Sequence, residues 1–495
     1  MAAARSRLPE QARVRLDKYD RLTAAGVDPY PVGHARTATA AQVRAAHPDL
    51  PPDAATGARV SVTGRVVRSR VLGGLCFAVL RDGTGDLQVM LTADRLGADG
   101  LRAWRHDVDL GDHVGVDGEV VTSRRGELSV LAGSWAITAK CLRPMPDKRR
   151  GLADPEARVR QRYLDLIVNP DATRMMRLRC DAVRAVREQL GARDYLEVET
   201  PMLQPVHGGA NARPFVTHIN AYDMRLYLRI APELYLKRLL VGGAERVFEL
   251  NRNFRNEGAD ATHNPEFTML EAYQAYGDYD SMQTLIQEMI QGAARAALGG
   301  TVVRRDGVEH DIGGTWRAVT VNEAISGALG EEVTADTGVE ELRGHCDRVD
   351  IAYDPKWGRG AVLLELYEHL VESRTVEPTF YRDFPTEVSP LTRQHRADPR
   401  LAERWDLVCF GAEIGTAYSE LIDPVEQRRR LTGQSLLAAG GDAEAMELDE
   451  DFLTALEYAM PPCGGLGMGV DRMIMMLTGR TIRDTVLFPI VRPGS

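Results

Sequence analysis

Short runs in which apolar and polar residues alternate fill the stretch from Arg59 to Arg143. Alternation at period two predicts strands with one buried face, and turns rich in Gly and Asp separate the runs. Five short strands in one stretch favour a small closed β-barrel. The predicted strands run from Val60 to Val67, Leu75 to Leu80, Leu87 to Leu91, His113 to Val121 and Leu128 to Leu131.

Barrels of this size are typical of oligonucleotide-binding (OB) domains, whose aromatic side chains stack on single-stranded bases. A charged helix from Glu10 to Ala25 precedes the barrel, and Gly26 ends that helix. We interpret the basic residues of the helix as a solvated face, with contact to RNA as the alternative; they are Arg13, Arg15, Lys18 and Arg21.

Beyond the barrel the pattern mixes helices with strands. An apolar stripe at helical spacing predicts a helix from Ala172 to Leu190, and a short strand from Tyr195 to Glu199 follows. Two alternating runs, Arg246 to Leu250 and Phe267 to Glu271, predict a β-hairpin with a long loop. The sequence therefore predicts an α+β protein with a helical extension over residues 1–58, a barrel over 59–145 and a larger domain over 146–495.

Composition and charge limit the class of protein. With 44% hydrophobic and 27% charged residues among 495, the chain is typical of a soluble globular protein. No apolar run approaches the length of about 18 residues that a membrane span needs, so we predict a cytoplasmic protein without a span or a secretory signal. Six isolated cysteines favour neither a zinc site nor a disulfide framework. The net charge of -10 does not exclude tRNA, because phosphate contacts need only a local basic face.

The predicted hairpin carries most of the candidate chemistry. It contains Phe254-Arg255-Asn256-Glu257-Gly258 and continues to Tyr273, with an arginine, a histidine, carboxylates and aromatics close together in sequence. A second segment, Gly464 to Arg472, has glycines at alternate positions, which let a backbone or a ligand approach closely, and leads into an apolar helix. Rigid strands that carry ionisable groups suit a charged ligand.

These two segments resemble motifs 2 and 3 of class II aminoacyl-tRNA synthetases. Two further segments resemble signatures of the lysyl-tRNA synthetase family: Arg229-Ile230-Ala231-Pro232-Glu233-Leu234-Tyr235-Leu236-Lys237, and Glu413-Ile414-Gly415 through Ser419-Glu420-Leu421. The resemblance covers nearly the whole chain. It implies a homodimeric lysine–tRNA ligase that uses ATP and Mg²⁺, with a catalytic domain built on an antiparallel sheet flanked by helices.

The resemblance also implies a nucleotide site. Arg255 would contact the α-phosphate of ATP and Arg472 the γ-phosphate, since a guanidinium is always charged and binds phosphate oxygens bidentately. Phe267 would stack on adenine. Mg²⁺ would be held by Asp406 and Glu413, the first of which is often glutamate in the family. The remaining nucleotide contacts would be Glu257, His263 and Asn264.

The implied amino-acid pocket is acidic. Glu233, Glu271 and Glu420 would face the substrate, and three carboxylates suit a side chain that ends in an ammonium group. L-lysine is therefore the expected substrate, with Gly209 and Tyr273 as further contacts.

One stretch of the pocket departs from the family. Where the family reads Gly-Asn-Gly-Phe-Ser-Glu, this chain has Gly415-Thr416-Ala417-Tyr418-Ser419-Glu420. Thr416 lacks the amide of asparagine, and Tyr418 adds a hydroxyl to the ring. We expect these changes to alter the fit around lysine, as in a second-copy enzyme of the family.

In the barrel, the resemblance implies four contacts to the anticodon of lysine tRNA: Arg70, Phe77, Gln88 and Glu127. Phe77 would stack on a base and Gln88 would read a base edge. The alternatives are a barrel-core side chain for Phe77 and an ordinary outward residue for Gln88. The helix from Ala172 and the strand that ends before Pro201 resemble motif 1, the dimer interface of the class.

The main hypothesis is thus a ligase that forms lysyl-adenylate and transfers lysine to the 3′ end of lysine tRNA. One alternative is a paralogue that supplies lysyl-tRNA for lipid lysylation or uses a lysine-like substrate. Another is a non-catalytic RNA-binding or sensor protein derived from a synthetase, which the presence of Arg255, Glu257 and Arg472 disfavours. A ligase with a protein acceptor is disfavoured by the barrel, because a protein acceptor needs no anticodon reader.

Overall fold

The computed structural model describes residues 8–146, 152–439 and 445–492, and the chain divides into two units, Met1–Gly151 and Leu152–Ser495. None of the described helices is long and apolar enough to cross a membrane.

The first unit contains the predicted closed barrel. Its five strands follow one another around the barrel in the order β1-β2-β3-β5-β4. Buried residues alternate with partly exposed ones along β2 and β3, so one set of side chains fills the interior. The elements are α1 Glu10–Ala24, α2 Ala40–Ala46, β1 Ala55–Leu72, β2 Leu75–Arg81, β3 Asp86–Thr92, α3 Ala93–Asp107, β4 His113–Thr122 and β5 Leu128–Ala139.

Helix α1 packs on the barrel through part of its basic face, whereas Arg13 and Arg21 of the same face are exposed. Arg15 is only 8% exposed, and its guanidinium donates hydrogen bonds to the carbonyl oxygens of Leu110 and Cys141 at 2.9 and 2.8 Å. Lys18 pairs with Asp109 at 2.7 Å. The interpretation of these two residues as a solvated face is therefore wrong.

The second unit is built on an eight-stranded sheet with the order β14-β15-β16-β17-β18-β11-β10-β6. Its central strands are antiparallel. At its two edges, β14 runs parallel to its neighbour β15 and β6 runs parallel to its neighbour β10. The first half of the unit contains α4 Pro155–Arg160, α5 Arg162–Val168, α6 Pro170–Gly191, β6 Leu196–Glu197, β7 Leu203–Gln204, β8 Phe215–Ile219, β9 Met224–Leu228, α7 Glu233–Val241, β10 Arg246–Phe254, β11 Glu266–Ala275 and α8 Tyr279–Leu298.

The second half begins with a small β-hairpin and a group of helices with its own core. It also supplies five strands of the large sheet, β14 to β18. Its elements are β12 Val302–Arg305, β13 Val308–Asp311, β14 Arg317–Thr320, α9 Val321–Leu329, α10 Val339–Arg348, α11 Arg359–Leu370, β15 Thr379–Pro385, β16 Leu401–Cys409, β17 Ala412–Ser419, α12 Pro424–Ala439, α13 Glu450–Leu456, β18 Cys463–Gly469, α14 Val470–Thr478 and α15 Ile482–Thr485, with short 3-10 turns at Glu372–Arg374 and Thr386–Val388.

The two faces of the large sheet have different surroundings. Helices α6, α8 and α14 cover one face and form the main core with Leu270 and Ala272 of β11 and Leu466 and Met468 of β18. Successive side chains of a strand point to opposite faces. The intervening residues of the same strands therefore lie on the other face, where the candidate site residues are found.

Candidate active site

The uncovered face of the large sheet borders a cavity of about 460 Å³. Among the described residues, all thirteen nucleotide and amino-acid candidates line it, and so does Glu413, whereas Asp406 does not. The thirteen are Gly209, Glu233, Arg255, Glu257, His263, Asn264, Phe267, Glu271, Tyr273, Thr416, Tyr418, Glu420 and Arg472.

Strand periodicity explains why residues so far apart in sequence meet here. On β11 the residues Phe267, Glu271 and Tyr273 are an even number of positions apart and share one face. Strand β17 contributes Thr416 and Tyr418, which are two positions apart, and the adjacent strand β18 contributes glycines at alternate positions. The pattern that predicts the strands therefore also predicts which of their residues share the cavity.

Arg255 begins the loop between β10 and β11 and lines the cavity. Its guanidinium carbon lies 5.1 Å from the centroid of the Phe267 ring, a cation–π distance. Its Nε atom is buried and has no hydrogen-bond partner in the described part of the chain. Burial lowers the pKa of Arg255, yet a guanidinium keeps its charge. A charged donor beside an aromatic ring suits a ligand in which a phosphate group is attached to a planar base that can stack on the ring.

Arg472 lies at the start of α14 on the same side of the cavity. Its Nη1 donates to the backbone carbonyl of Glu413 at 2.9 Å, and its Nη2 lies 3.3 Å from Nε2 of His263. The neighbouring Asp471 accepts a hydrogen bond from the backbone N–H of Thr268 at 2.7 Å and pairs with Arg179 at 2.6 Å. These contacts fix the start of α14 against β11 and α6, and Arg472 with it.

Three further nucleotide candidates sit in or beside the loop between β10 and β11. Glu257 is exposed, and its Oε1 accepts from the backbone N–H of Arg213 at 3.4 Å. His263 is held by Asp260, with 3.0 Å between Nδ1 and Oδ2. Asn264 accepts from the backbone N–H of Ile490 at 3.3 Å. The loop thus gathers these polar groups on the more exposed side of the cavity.

Three buried carboxylates mark the other end of the cavity. Glu233, Glu271 and Glu420 are 5%, 3% and 2% exposed. The hydroxyl of Tyr273 donates to Oε2 of Glu271 at 3.0 Å. Burial raises the pKa of each carboxyl group, that of Glu420 to about 8. Carboxylates held together away from water repel one another, so this end of the cavity favours a cation.

Lys237 belongs to this acidic end and was not among the predicted site residues. Its side chain is fully buried, and its Nζ lies 2.6 Å from Oε1 of Glu233 and 2.5 Å from Oε2 of Glu420. With every group ionised, Glu233, Glu271 and Glu420 exceed this single ammonium by two negative charges. The available sequence signal was the i,i+4 spacing of Glu233 and Lys237 in a mainly apolar helix.

Two glycines leave room for these side chains. Gly209 has a φ of +86°, which favours glycine, and a Cβ there would lie 3.0 Å from the Cβ of Glu233. A Cβ at Gly465 would overlap Oε1 of Glu420 and lie 2.5 Å from Cε1 of Tyr273. The alternating glycines of β18 thus allow the carboxylate to lie against the strand.

Asp406 and Glu413, the candidate Mg²⁺ ligands, lie on β16 and β17. Arg404 donates to both oxygens of Asp406 at 3.0 and 2.7 Å, and the Thr416 hydroxyl donates to Oδ1 at 2.7 Å. Burial and the charge of Asp406 raise the pKa of Glu413. No three His, Cys, Asp or Glu side chains in the described ranges are placed to hold a metal ion. Of the two candidate ligands only Glu413 lines the cavity, so a hard divalent cation there would take most of its oxygen ligands from a bound phosphate or from water.

The two departures from the family pattern at positions 406 and 416 contact each other. The shorter carboxylate of Asp406 accepts from the hydroxyl of Thr416, on the adjacent strand. Tyr418 lies opposite Arg404 in the same strand pair, and burial raises the pKa of its phenol. The substitutions therefore form one connected change beside the amino-acid end of the cavity.

Phe77 lies on the outside of the barrel. Its strand neighbours Cys76 and Ala78 are buried in the barrel core, whereas Phe77 is partly exposed and pairs with Arg70 in the β1–β2 register. The alternative of a core side chain for Phe77 is therefore wrong. An aromatic ring beside an exposed arginine is available for stacking on a base.

The other two barrel candidates are already engaged in polar contacts. Gln88 donates from Nε2 to the hydroxyl of Ser129 at 2.8 Å, which orients its amide on the surface of β3. Glu127 is exposed and lies 3.3 Å from Arg44 of helix α2. Both face outward, so either side chain is accessible to a ligand of the barrel.

Comparisons with known proteins give the same division of the chain. Residues 154–492 match the family of class II tRNA synthetases (D, K and N), and residues 60–138 match the OB-fold nucleic acid binding domain.

Several curated relatives carry the name lysylphosphatidylglycerol biosynthesis bifunctional protein LysX. The protein of Nocardia farcinica is 58% identical over 492 residues, which cover 98% of this chain and 43% of the relative. That of Mycolicibacterium vanbaalenii is 60% identical over 493 residues, 98% of this chain and 44% of the relative. That of Mycobacterium tuberculosis is 56% identical over 499 residues, 98% of this chain and 42% of the relative. This chain thus spans less than half the length of these relatives.

Proposed function

The chain belongs to the class II tRNA synthetases of the D, K and N family, and from this membership we propose that it is a lysine–tRNA ligase. The assignment of lysine as the substrate rests on the charge at the amino-acid end of the cavity. When ionised, Glu233, Glu271 and Glu420 carry two negative charges more than the buried ammonium of Lys237, which pairs with Glu233 and Glu420. Lysine brings two ammonium groups, whereas aspartate would be repelled and asparagine would leave buried carboxylates unpaired.

Two steps make up the proposed reaction. The carboxylate of lysine attacks the α-phosphorus of ATP and pyrophosphate leaves; a ribose hydroxyl at the 3′ end of tRNA then attacks the lysyl-adenylate and AMP leaves. Arg255 contacts the α-phosphate and stabilises the charge of the transition state, while Arg472 binds the γ-phosphate. Phe267 stacks on adenine. Neither step needs a protein nucleophile, because positioning and charge neutralisation suffice.

The remaining candidates complete the nucleotide site. Glu257, His263 and Asn264 contact ATP from the loop between β10 and β11. Asp406 and Glu413 would hold Mg²⁺, which when bound neutralises part of the phosphate charge. The presence of Arg255 and Arg472 on one cavity supports a working ligase over a sensor protein derived from one.

We further propose that the lysyl-tRNA made here is used for lipid lysylation. The relatives are named for lysylphosphatidylglycerol biosynthesis, and this name supports the paralogue hypothesis better than a role in general protein synthesis. The departures at Thr416 and Tyr418 support the same view, since both residues line the cavity where the family pattern has asparagine and phenylalanine. Deleting the coding region of this chain should abolish lysylphosphatidylglycerol and leave growth intact. Loss of growth with intact lipid would assign the enzyme to translation.

The barrel is proposed to bind the anticodon of lysine tRNA through Arg70, Phe77, Gln88 and Glu127. We expect Phe77→Ala to lower kcat/KM for charging of lysine tRNA by about 10-fold to 100-fold, because one stacked base contributes about 1–3 kcal/mol. Pyrophosphate exchange without tRNA should stay unchanged, since Phe77 lies in the barrel unit.

The matched control is Val71→Ala, which also shortens a partly exposed apolar side chain on the barrel surface. It should leave charging close to the unsubstituted level. Equal loss of charging and of exchange in Phe77→Ala would contradict a role in tRNA binding.

A homodimer is also proposed. The three-stranded sheet β7-β9-β8 and the edge strand β6 expose large apolar side chains. Leu196, Leu203, Val216 and Met224 are 60%, 48%, 53% and 40% exposed. A second copy of the chain would cover this surface, which follows helix α6, the segment that resembles motif 1.

Gly465→Ala tests the packing of the amino-acid end. Its Cβ would occupy the position of Oε1 of Glu420 and push the carboxylate away from Lys237. We expect KM for lysine in pyrophosphate exchange to rise by at least about 10-fold, the effect of losing a hydrogen bond to a charged group worth about 1.5–3 kcal/mol. KM for ATP should change little.

The control for that variant is Gly433→Ala on α12, where a Cβ meets no atom within 4 Å. An unchanged KM for lysine in Gly465→Ala would mean that Glu420 does not bind the substrate in the position described.

A further inference from the structure

Lys237 is a buried charge at the amino-acid end to which the proposed reaction assigns no task. It projects from α7 one turn after Glu233 and reaches Glu420, which follows the last residue of β17. Glu233 and Glu420 line the cavity, whereas Lys237, a described residue, does not. The ammonium therefore lies behind the two carboxylates as seen from the cavity.

Glu420 retains capacity to accept further hydrogen bonds. Both of its oxygens are buried and lack an aligned hydrogen-bond donor within the described ranges, although Oε2 lies 2.5 Å from Nζ of Lys237. A carboxylate that is paired on one side and open on the other is arranged to receive a second cation.

We propose that Lys237 is a positioning residue that favours the ionised form of Glu233 and Glu420 and aims them at the ammonium groups of the substrate. This inference rests on the proposed activation of lysine and adds the device that lowers the pH at which the pocket becomes anionic.

The physical reason is the repulsion between buried carboxylates. Two such groups close together keep one proton between them unless a cation separates them. A protonated Glu420 would offer a neutral acid to an ammonium and would lose most of the attraction. The described titratable groups that face Glu420 are Glu233 and Lys237 from α7, Tyr273 from β11 and Cys463 from β18, and Lys237 is the cation among these four.

The direction of the pH dependence follows from this arrangement. Glu420, whose pKa burial raises to about 8, binds an ammonium after it has lost its proton, so lysine binding strengthens as the pH rises through that value. Without Lys237 the loss of the proton moves to higher pH, because the nearest opposite charge is gone. A lysine that merely tied α7 to β17 would lower activity equally at every pH.

The experiment is the pH profile of kcat/KM for lysine in pyrophosphate exchange, from pH 6 to 9.5, for the full chain and for Lys237→Met. We expect the acid limb of the variant to lie at least about one pH unit higher and kcat/KM at pH 7 to fall at least about 10-fold, as one pKa unit implies. The two profiles should converge towards pH 9.5. KM for ATP should be unchanged, and since both proteins use the same substrate, the ionisation of free lysine cancels.

The chain offers a matched control in Lys140. Its Nζ is likewise buried between two carboxylates, 2.7 Å from Asp109 and 2.7 Å from Asp112, but in the barrel unit. Lys140→Met should lower thermal stability without moving the pH profile for lysine. Lys237→Gln, which keeps hydrogen-bonding capacity without the charge, should shift the profile as Lys237→Met does, and Lys237→Arg should leave the acid limb in place.

The outcomes separate the inference from the proposed function. No lysine-dependent exchange by the unsubstituted chain would overturn the proposed function and this inference together. Normal exchange with a loss in Lys237→Met that is equal at every pH would overturn the inference alone. Failure of both uncharged variants to fold, with Lys237→Arg folded, would assign Lys237 to stability and overturn its role in the pocket.

Discussion

Arg255→Ala should lower lysine-dependent pyrophosphate exchange by about 10²-fold to 10³-fold, the usual effect of removing one donor that stabilises transition-state charge. The guanidinium lies over the ring of Phe267 and has a buried Nε that no described residue accepts from, so it keeps a donor for a phosphate next to a base stacked on that ring. No neighbouring lysine lines the cavity in the described ranges to take over this charge. The loss should appear in kcat at saturating lysine and ATP, because the contact strengthens in the transition state.

Arg252→Ala is the matched control for Arg255. It lies on β10, three residues before Arg255, is partly exposed, pairs with Glu266 at 3.5 Å and is not part of the cavity lining in the described chain. Exchange by this variant should stay within about twofold, since surface ion pairs contribute about 0–1 kcal/mol. Retained exchange in Arg255→Ala would remove Arg255 from the α-phosphate.

Glu420→Gln should lower kcat/KM for lysine by about 10²-fold or more, because losing one partner of a buried charge pair costs about 3–5 kcal/mol. The amide has nearly the same shape as the carboxylate, so packing against Gly465 is kept, while the attraction for an ammonium is lost. KM for ATP should change little, since Arg255 and Arg472 are untouched. Exchange measured against lysine concentration, with ATP saturating, reads the effect directly.

The control for Glu420 is Glu403→Gln. Glu403 is also a buried carboxylate of the large sheet, 1% exposed, but it pairs with Arg396 at 2.7 Å and is absent from the cavity lining among the described residues. This variant should lose stability and keep its KM for lysine. A Glu420→Gln enzyme with an unaltered KM would remove Glu420 from recognition of the substrate.

Periodicity in the sequence predicted the elements that position the site. The alternating runs became the five barrel strands and the hairpin of β10 and β11, each extended by a few residues where the pairing continues beyond the apolar pattern. The same alternation places Glu271 and Tyr273 on the cavity face of β11, and the glycines of β18 beside them. The local pattern was sufficient here because the buried and exposed faces of a half-buried strand appear in the sequence as alternating apolar and polar residues.

Features that depend on distant contacts were missed. Helix α3 buries Leu101 and Trp104 in the barrel, but Gly97 and Gly100 interrupt its helical pattern, and it was not predicted. Arg15 was interpreted as solvated because its acceptors, the carbonyls of Leu110 and Cys141, carry no signal in sequence. Lys237 was missed for a similar reason, since a lysine in a helix is usually exposed and Glu420 is remote in the chain.

The most direct test of the central claim is amino-acid-dependent exchange of pyrophosphate into ATP, measured for each of the twenty amino acids, with charging of total tRNA by whichever is active. We expect exchange with lysine alone, because its two ammonium groups match the negative charge that Glu233, Glu271 and Glu420 carry when ionised. Exchange with aspartate or asparagine, or with none of the twenty, would contradict the assignment of lysine to this cavity.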